Sequence, residues 1–308
     1  MNTIVNDIKQ KALSLGFSAC GITDCAPIDE KVTEAFDSRL TLHNNTCLPY
    51  LNNYKEKRFH PQQLMPEAKS IIIVLVNYHQ SNTQKSRYKF AQYALGNDYH
   101  TIIKTKLKAL QTYIEEIEPK SVNRYFVDSA PVMEKYLATR AGLGWIGKNS
   151  LLNTENGSFQ FIGSIFTSLA LPIDEPFAKN PCKNCHLCMS ACPTGAIVED
   201  CHIDTEKCFS YQSIENKGDI DNTLDFSTEY VYGCDLCQIV CPYNQHIPST
   251  TWVEMQSNPK IIEKTDADWE ELTEEEFLTT FHHSAVKRIG YNKLKNNILY
   301  IKNRINNH

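Results

Sequence analysis

The chain has 308 residues, of which 42% are hydrophobic and 22% are charged, and its formal net charge is -5. These values are ordinary for a soluble globular protein, and the length allows two or three domains. No apolar run approaches the roughly 20 residues that a transmembrane helix needs, and the N-terminus does not resemble a secretory signal. The sequence therefore argues against a membrane protein, and we expect a cytoplasmic protein without disulfides.

Hydrophobic periodicity and breaker residues predict alternating helices and strands in the first half of the chain. In chain order, the predicted elements are a helix over 2–15, strands over 17–22 and 71–77, a helix over 99–117, a strand over 122–127, a helix that begins at Pro131, and a strand over 159–168. The run Ile71–Val76 has the length and β-branching of a buried strand, and Pro131 suits the first turn of a helix. The alternation indicates an α/β or α+β domain, and a helical tail is predicted over 251–308.

A glycine-rich segment over 141–150 imitates two nucleotide-binding motifs. Its three glycines match G-x-G-x-x-G, but that motif follows a strand and opens a helix, whereas here a helix is predicted before the segment and an extended stretch after it. Asn149 also stands where a P-loop needs Ser or Thr. The segment is therefore predicted to be a loop whose backbone can approach a large ligand closely.

Seven of the twelve cysteines lie in two short arrays. The first has the spacing C-x2-C-x2-C-x3-C-P over residues 182–193, and the second has C-x2-C-x3-C-P over 234–242. The first spacing is that of bacterial ferredoxins, in which three thiolates bind one [4Fe-4S] cluster and the fourth binds another. Zinc sites also use Cys-x-x-Cys pairs, but seldom four cysteines this close together with a trailing Cys-Pro. The arrays therefore predict two [4Fe-4S] clusters in a bacterial ferredoxin-like module over residues 178–246.

Two such clusters need eight thiolate ligands. The ferredoxin crossing rule assigns Cys182, Cys185, Cys188 and Cys241 to one cluster and Cys192, Cys234 and Cys237 to the other. The eighth ligand is then Cys201 or Cys208. Residues 196–204 are predicted to form a hairpin that contains Cys201, whereas Cys208 follows where ferredoxins return to the cluster, so we predict Cys208. The scattered Cys20, Cys25 and Cys47 are predicted to be ordinary thiols.

Basic residues are concentrated in two segments of an otherwise acidic chain. Residues 81–114 carry a formal charge of +5, and residues 277–308 carry +6 with no acidic residue. Two such segments indicate either a localised surface for a polyanion or solvated helix faces, and the charge alone does not separate these alternatives.

Further motifs make nearly the whole chain resemble the epoxyqueuosine reductases of tRNA queuosine biosynthesis. Besides the cysteine arrays, they are Tyr50-Leu51 with Lys57-Arg58, Gly96-Asn-Asp-Tyr-His100, Val127-Asp-Ser-Ala-Pro-Val-Met-Glu-Lys135, Gly144-Trp-Ile-Gly-Lys-Asn-Ser150, Cys208-Phe-Ser-Tyr211 and Arg288-Ile-Gly-Tyr291. Members of this family use base-off cobalamin and two [4Fe-4S] clusters to reduce the epoxide of epoxyqueuosine at the tRNA wobble position. The resemblance therefore implies a cytoplasmic oxidoreductase, expected to be a monomer, that acts on tRNA and receives electrons from an unidentified donor.

The resemblance also implies an α+β architecture and a set of site residues. It divides the chain into a cobalamin-binding α/β catalytic domain over 1–177, the two-cluster module over 178–246 and a short helical basic segment over 247–308. The implied cobalamin contacts are Arg58, Asp128, Lys148, Asn149, Gly163, Ser210 and Asp235. The predicted tRNA contacts are Lys104, Lys106, Lys108, Lys287, Arg288, Lys293 and Lys295.

The sequence departs from related patterns at three places. The common cobalamin motif D-x-H-x-x-G begins at Asp98-Tyr-His100, but Ile103 stands where its glycine belongs. Leu95 stands where such proteins usually carry a basic residue. Longer members of the family continue into HEAT-like helical repeats that hold tRNA, and this sequence ends shortly after Tyr291, which shifts the expected substrate contacts to the two basic segments.

Asp128 is the predicted general acid. It follows a predicted buried strand, where burial would raise its pKa toward that of a proton donor, and the resemblance assigns it this role. The residues alone favour a different role for Asp128, the N-cap of the helix predicted from Pro131, and the resemblance reverses that preference. The alternative functions are a cobalamin-dependent reductive dehalogenase, which typically carries a twin-arginine signal that this N-terminus lacks, and a ferredoxin-type electron carrier.

Overall fold

The structure is a computed structural model that describes residues 2–42, 47–81, 83–199, 201–224 and 226–306. Its helices are α1 Asn2–Ser14, α2 Glu30–Leu42, α3 Lys55–Phe59, α4 Tyr99–Ile117, α5 Glu134–Arg140, α6 Leu187–Ser190, α7 Phe209–Ile214, α8 Leu236–Ile239, α9 Pro259–Ile262, α10 Asp266–Glu270, α11 Glu274–Thr280 and α12 Gly290–Asn306. Its strands are β1 Ala19–Asp24, β2 Ser70–Asn77, β3 Lys89–Phe90, β4 Asn123–Phe126, β5 Trp145–Ile146, β6 Leu152–Asn153, β7 Gln160–Thr167, β8 Ile197–Glu199, β9 His202–Ile203 and β10 Tyr230–Tyr232. Short 3-10 helices cover Pro49–Asn52, Pro61–Leu64, Gln92–Ala94, Pro242–Asn244, Val253–Met255 and Ala285–Ile289.

A four-stranded sheet in the order β1-β2-β7-β4 forms the centre of the N-terminal region. Every neighbouring pair in it is antiparallel, so the sheet is not built from parallel βαβ units. Strand β2 is central and buried on both faces, as its unbroken apolar sequence predicted. The predicted α+β class is confirmed, because helices and antiparallel strands share one core.

Two apolar layers cover the two faces of this sheet, because successive side chains of β2 point to opposite sides. Ile72 and Val74 pack with Ile8 of α1 and Leu107 of α4 on one face. Ile71, Ile73 and Leu75 pack on the other face with the apolar side of α5. Strand β4 is an edge strand of this sheet. At its end Phe126 packs on one face and Val127 on the other, and residue 128 follows.

A third apolar cluster joins the cysteine module to the C-terminal helices. Strand β3 pairs in parallel with β10, and aromatic side chains from both strands pack against the tail, including Phe90 and Trp269 with ring centroids 4.9 Å apart. In α12, Leu294, Ile298 and Ile301 are buried, whereas Leu299 is exposed. The domain boundaries near residues 177 and 246 remain a prediction. The packing of the cysteine module against the C-terminal helices crosses the second boundary.

Two predicted element boundaries are wrong for local reasons. The first strand begins at Ala19 and not at residue 17, because the Phe17 N–H donates back to the Ala12 carbonyl and ends α1. The helix predicted from Pro131 begins at Glu134, because the Ser129 and Val132 N–H groups close tight turns onto the carbonyls two residues before them. No helix within the described ranges is both long and apolar enough to cross a membrane.

Candidate active site

The seven cysteines of the two arrays and Cys208 form two groups of four. Burial raises the pKa of Cys188 and of Cys241, and each of these thiols also interacts with Cys182 and Cys185. In the second set, burial raises the pKa of Cys234 to about 12, with further contributions from Cys208 and Cys192, and Cys237 interacts with Cys234 and Cys208. These two groups agree with the predicted ligand sets, and Cys237 also interacts with Cys188 of the first set. The assignment of each ligand, including Cys208 as the eighth, remains a prediction.

The chemistry of these thiols fits metal clusters. Buried thiols with raised pKa values stay protonated unless a positive charge is supplied, and bound iron supplies it when thiolates ligate a cluster. Within the described residues, no group of three or more His, Cys, Asp or Glu side chains is placed to hold a single metal ion. Trp145 donates its indole N–H to the Cys182 sulfur at 3.4 Å, and the Ala196 N–H donates to the Cys192 sulfur at 3.3 Å, as outer-shell partners of metal ligands do.

Cys201 lies outside both sets. It sits in the turn between β8 and β9 with φ 60°, and its sulfur contacts the Ile146 carbonyl at 3.5 Å. The predicted hairpin is thereby confirmed on either side of residue 200, which lies outside the described residues. Both Cys201 and Cys208 border the same large cavity.

This cavity has a volume of about 1980 Å³. Sites for drug-sized molecules are roughly 300–1,000 Å³, so the cavity can hold a large cofactor together with part of a substrate. Its walls come from α2, from the start of α4, from the loop after β4, from α7 and from residues 282–288. Asp128 and Cys208 both border it, so a carboxylate and a thiol of the second set face one space.

Asp128 forms a hydrogen-bonded pair with His100 at this cavity. The His100 Nε2 lies 3.0 Å from one Asp128 oxygen, and the Tyr99 hydroxyl donates to the same oxygen at 2.6 Å. The His100 Nδ1 lies 2.8 Å from the carboxylate of Asp98, the N-cap of α4. The hydrogen bonds to Asp128 and Asp98 raise the pKa of His100 to about 9, so the histidine is protonated at neutral pH.

The prediction that burial raises the pKa of Asp128 is wrong. The hydrogen bond from His100 lowers the pKa of Asp128 and outweighs the effect of burial. The resting proton of this pair therefore lies on the imidazole. The alternative helix-cap role is also wrong, because the residue before α5 is Met133 and no side chain caps that helix.

The backbone of Asp128 adopts an uncommon conformation. Its φ is 53°, in the left-handed region that non-glycine residues seldom occupy. Its N–H donates to the Glu134 carboxyl oxygen at 2.8 Å. The pKa of Glu134 is raised to about 8 by burial and by the neighbouring Asp128. The Asp128 side chain is 56% exposed and is held on both sides while it faces the cavity.

Two family models match the chain. One, described as "Epoxyqueuosine reductase QueG, DUF1730", matches residues 58–129, and the other, "4Fe-4S double cluster binding domain", matches residues 181–244. The curated epoxyqueuosine reductase of Cellulophaga algicola is 40% identical over 298 residues, which are 96% of this chain and 97% of that protein. The chain belongs to the epoxyqueuosine reductase family.

Solved structures agree with this membership. The epoxyqueuosine reductase of Streptococcus thermophilus has a TM-score of 0.87 at 28% identity, and the match covers 99% of this chain and 82% of that one. A crystal structure of an epoxyqueuosine reductase with a tRNA-Tyr epoxyqueuosine-modified stem loop has a TM-score of 0.84 at 24% identity over 97% of this chain and 81% of that one, and shows the same fold. The predicted family and its oxidoreductase class are therefore confirmed, ahead of the dehalogenase and electron-carrier alternatives.

The structure places three of the seven predicted cobalamin contacts at the cavity of this epoxyqueuosine reductase family member: Arg58, Asp128 and Ser210. The other four lie elsewhere. The Lys148 ammonium is 3.1 Å from the His186 ring, and Asn149 bonds Asn153. Gly163 faces Leu107 and Val74 in the sheet. Asp235 is buried and accepts the Gln92 N–H at 2.7 Å.

The predicted tRNA contacts also divide by position. Lys287 and Arg288 border the cavity, and Arg288 pairs with Glu215 at 2.5 Å. Lys293 and Lys295 donate to backbone carbonyls at 2.6 and 2.5 Å. On α4, away from the cavity, Lys106 lies over the Trp252 ring, Lys108 is exposed and Lys104 is half-buried.

Several residues at the cavity were not predicted from sequence. Tyr99, His100 and Glu134 contact Asp128, and Lys31, Arg39 and Lys135 add positive charge to the cavity wall. A signal was present for the first three, because Tyr99, His100 and Glu134 belong to the quoted family motifs. No comparable signal marks the cations of α2, whose helix carries acidic residues as well.

Proposed function

We propose that this chain reduces the epoxide of epoxyqueuosine to the alkene of queuosine in tRNA, with two [4Fe-4S] clusters and a base-off cobalamin. The observation that carries the proposal is that Asp128 and Cys208 border one cavity of about 1980 Å³. A proton source and an electron source thereby reach the same space. The similarity to a curated epoxyqueuosine reductase covers 96% of the chain and supports epoxyqueuosine as the substrate.

The cavity fits a large polar cofactor such as cobalamin. Arg58 borders it, and the Arg58 Nε atom is buried without a hydrogen-bond partner within the protein, which is costly unless a ligand accepts the bond. Burial lowers the pKa of this guanidinium. Ser210 lies in α7, two residues after Cys208, and offers a further polar group at the wall. Cobalamin, when bound, supplies electrons to the epoxide carbon.

The protein contributes the proton and its position. Converting an epoxide to an alkene takes two electrons and two protons and releases the oxygen as water. In the resting site His100 carries a proton and shares it with Asp128, whose carboxylate faces the cavity. Asp128 can thus pass the His100 proton to the departing oxygen, and the second proton comes from solvent. Tyr99 fixes the carboxylate, and its ring stacks on Phe161 at 4.1 Å.

The cavity wall also suits the phosphates that surround a tRNA wobble nucleoside. Lys31, Arg39, Lys135, Lys287 and Arg288 border it. Because the nucleoside must leave its stack to reach a buried site, the flanking backbone has to be held at the cavity mouth. Lys and Arg bind phosphates with release of counterions, so we infer that the tRNA contacts lie chiefly at this wall.

The test is conversion of epoxyqueuosine in tRNA by the purified protein. The protein is prepared anaerobically, supplied with cobalamin and a chemical reductant, and the nucleosides are measured by mass spectrometry after digestion of the tRNA. We expect queuosine to appear, close to eight irons and eight acid-labile sulfides per chain, and a bound base-off cobalamin spectrum. Loaded protein that forms no queuosine refutes the proposal, and the absence of bound cobalamin would favour the electron carrier.

A further inference from the structure

Glu134 has an unusual position for a carboxylate on the wall of the cavity. It is the first residue of α5, and its carboxyl oxygen accepts the N–H of Asp128, six residues earlier in the chain, at 2.8 Å. This hydrogen bond joins the two ends of the loop of residues 128–134. A first-turn acidic residue ordinarily needs no such partner, since the helix N-terminus already favours it.

The loop that carries Asp128 contains few other constraints. The Ser129 and Val132 N–H groups bond carbonyls two residues away, which sets the local turns but does not anchor the loop to α5. Asp128 itself has φ 53°, and a non-glycine residue in this region costs of order 1 kcal/mol or more unless its surroundings hold it. Within the described residues, the bond to Glu134 is the side-chain contact that holds the Asp128 peptide.

The groups that face Glu134 define its electrostatic setting. Asp128 opposes ionisation of Glu134, whereas Arg58 and His100 favour it. Tyr99 and Lys135 also interact with it. The net effect of burial and these charges raises the pKa of Glu134 to about 8, so at pH 7 it is mainly a neutral carboxylic acid, whose carbonyl oxygen can accept the Asp128 N–H.

We propose that Glu134 is a positioning residue that holds the Asp128 backbone so that the Asp128 carboxylate faces both His100 and the cavity. It does not exchange a proton with the substrate. Its effect passes entirely through Asp128, and this role rests on the proposed epoxide reduction. Tyr99 and His100 hold the carboxylate of Asp128, and Glu134 holds its backbone N–H. Loss of either set of contacts therefore frees the loop.

The decisive variants differ in whether they keep the acceptor. Glu134→Gln is isosteric with the neutral acid and keeps a carbonyl oxygen at the same place. Glu134→Leu keeps the side-chain volume but removes the acceptor. Glu134→Ala is used in place of Glu134→Leu if the protein does not accommodate leucine. A displacement of about 1 Å at a reacting group can cost roughly a hundredfold in rate. We expect Glu134→Leu to lower kcat by about 10- to 100-fold with little change in KM, and Glu134→Gln to restore most of the loss at pH 7.

A double-mutant comparison separates positioning from general stability. If Glu134 acts only through Asp128, then adding Glu134→Leu to Asp128→Asn lowers kcat by less than about twofold, because contacting residues that act as a unit are not additive. A full further loss in the double variant overturns the proposal. So does an active wild type whose kcat is unaffected by Glu134→Leu. An inactive wild type refutes the proposed function instead.

A second measurement does not depend on turnover. The Asp128 amide is bonded to Glu134, so hydrogen–deuterium exchange of the peptide that spans residues 125–133 reports on this contact. We expect faster exchange in Glu134→Leu and wild-type exchange in Glu134→Gln, at equal iron content. Equal exchange in all three proteins contradicts the proposed contact, whatever the substrate is.

Discussion

Replacing Asp128 by asparagine tests the proton pair at the cavity. The amide keeps the size of the carboxylate and can still accept from the Tyr99 hydroxyl, which lies 2.6 Å from the native oxygen. It cannot carry a proton from His100 to the substrate. General acid catalysis typically contributes about 10²- to 10⁴-fold, so we expect kcat for queuosine formation to fall by that factor, with iron content and cobalamin binding unchanged.

The same substitution should lower the pKa of His100. The rise of the His100 pKa from 6.5 to about 9 corresponds to roughly 3 kcal/mol at 1.36 kcal/mol per pH unit. This energy is divided between Asp98 and Asp128, and Asp128 is 56% exposed, so about 1 kcal/mol belongs to Asp128 after solvent screening. The folded protein should therefore lose at most about that much stability, since Asp128 caps no helix.

The assay compares nucleosides from digested tRNA before and after reaction, together with the denaturant midpoint of each variant. Asp7→Asn, on the exposed face of α1, is the matched control and should behave as the wild type. Turnover of Asp128→Asn within threefold of the wild type would remove Asp128 from the mechanism. Loss of the folded state would instead show that its role is structural.

Three further predictions follow from the site. Cys208→Ser should halve the iron content, whereas Cys201→Ser should keep it, as measured by iron and sulfide analysis; the reverse result would exchange their roles. Because His100 is protonated below its pKa of about 9, kcat should be retained at neutral pH and decline as the pH rises through about 9, and a flat pH profile to pH 10 would contradict proton supply by this residue. Lys287→Gln should weaken tRNA binding and reduce the slope of log affinity against log salt concentration by roughly 0.7 to 0.9. Lys293→Gln is the control and should change both quantities less, because the native Lys293 ammonium donates to a carbonyl. Equal effects of the two substitutions would place the tRNA along α12.

The two-cluster module could be predicted from the sequence because the local spacing of its cysteines is diagnostic. Short loops between cysteines bring successive sulfurs together, so the first array fixes most of its geometry without knowledge of the rest of the fold. Cys208 was harder, since its choice over Cys201 depended on a hairpin. The structure brings Cys208 to Cys192 and Cys234, while the turn carries Cys201 toward Ile146.

The proton pair could not be predicted in the same way. Asp128 follows a strand, so burial alone indicated a raised pKa, and only the fold shows that His100 reaches it from the start of α4. A 3.0 Å contact between residues 28 positions apart reverses the direction of the shift. The loop after β4 was also not predicted. Pro131 is compatible with a helix start, and the left-handed backbone conformation at residue 128 belongs to an aspartate and not to a glycine, which would have indicated a turn.

The cavity is lined by residues from all three predicted domains. Asp128 comes from the end of the N-terminal sheet, Cys208 from the cysteine module, and Arg288 from the segment before α12. Pairing of β3 with β10 and the shared apolar cluster tie these three stretches together. In the proposed mechanism, protons and electrons therefore come from different parts of the chain, and the place where they meet depends on the packing between those parts. A substitution in that apolar cluster, far from any ligand, should therefore slow turnover, because it would separate Asp128 from the second thiol set. This loss of turnover should precede any loss of iron from the protein.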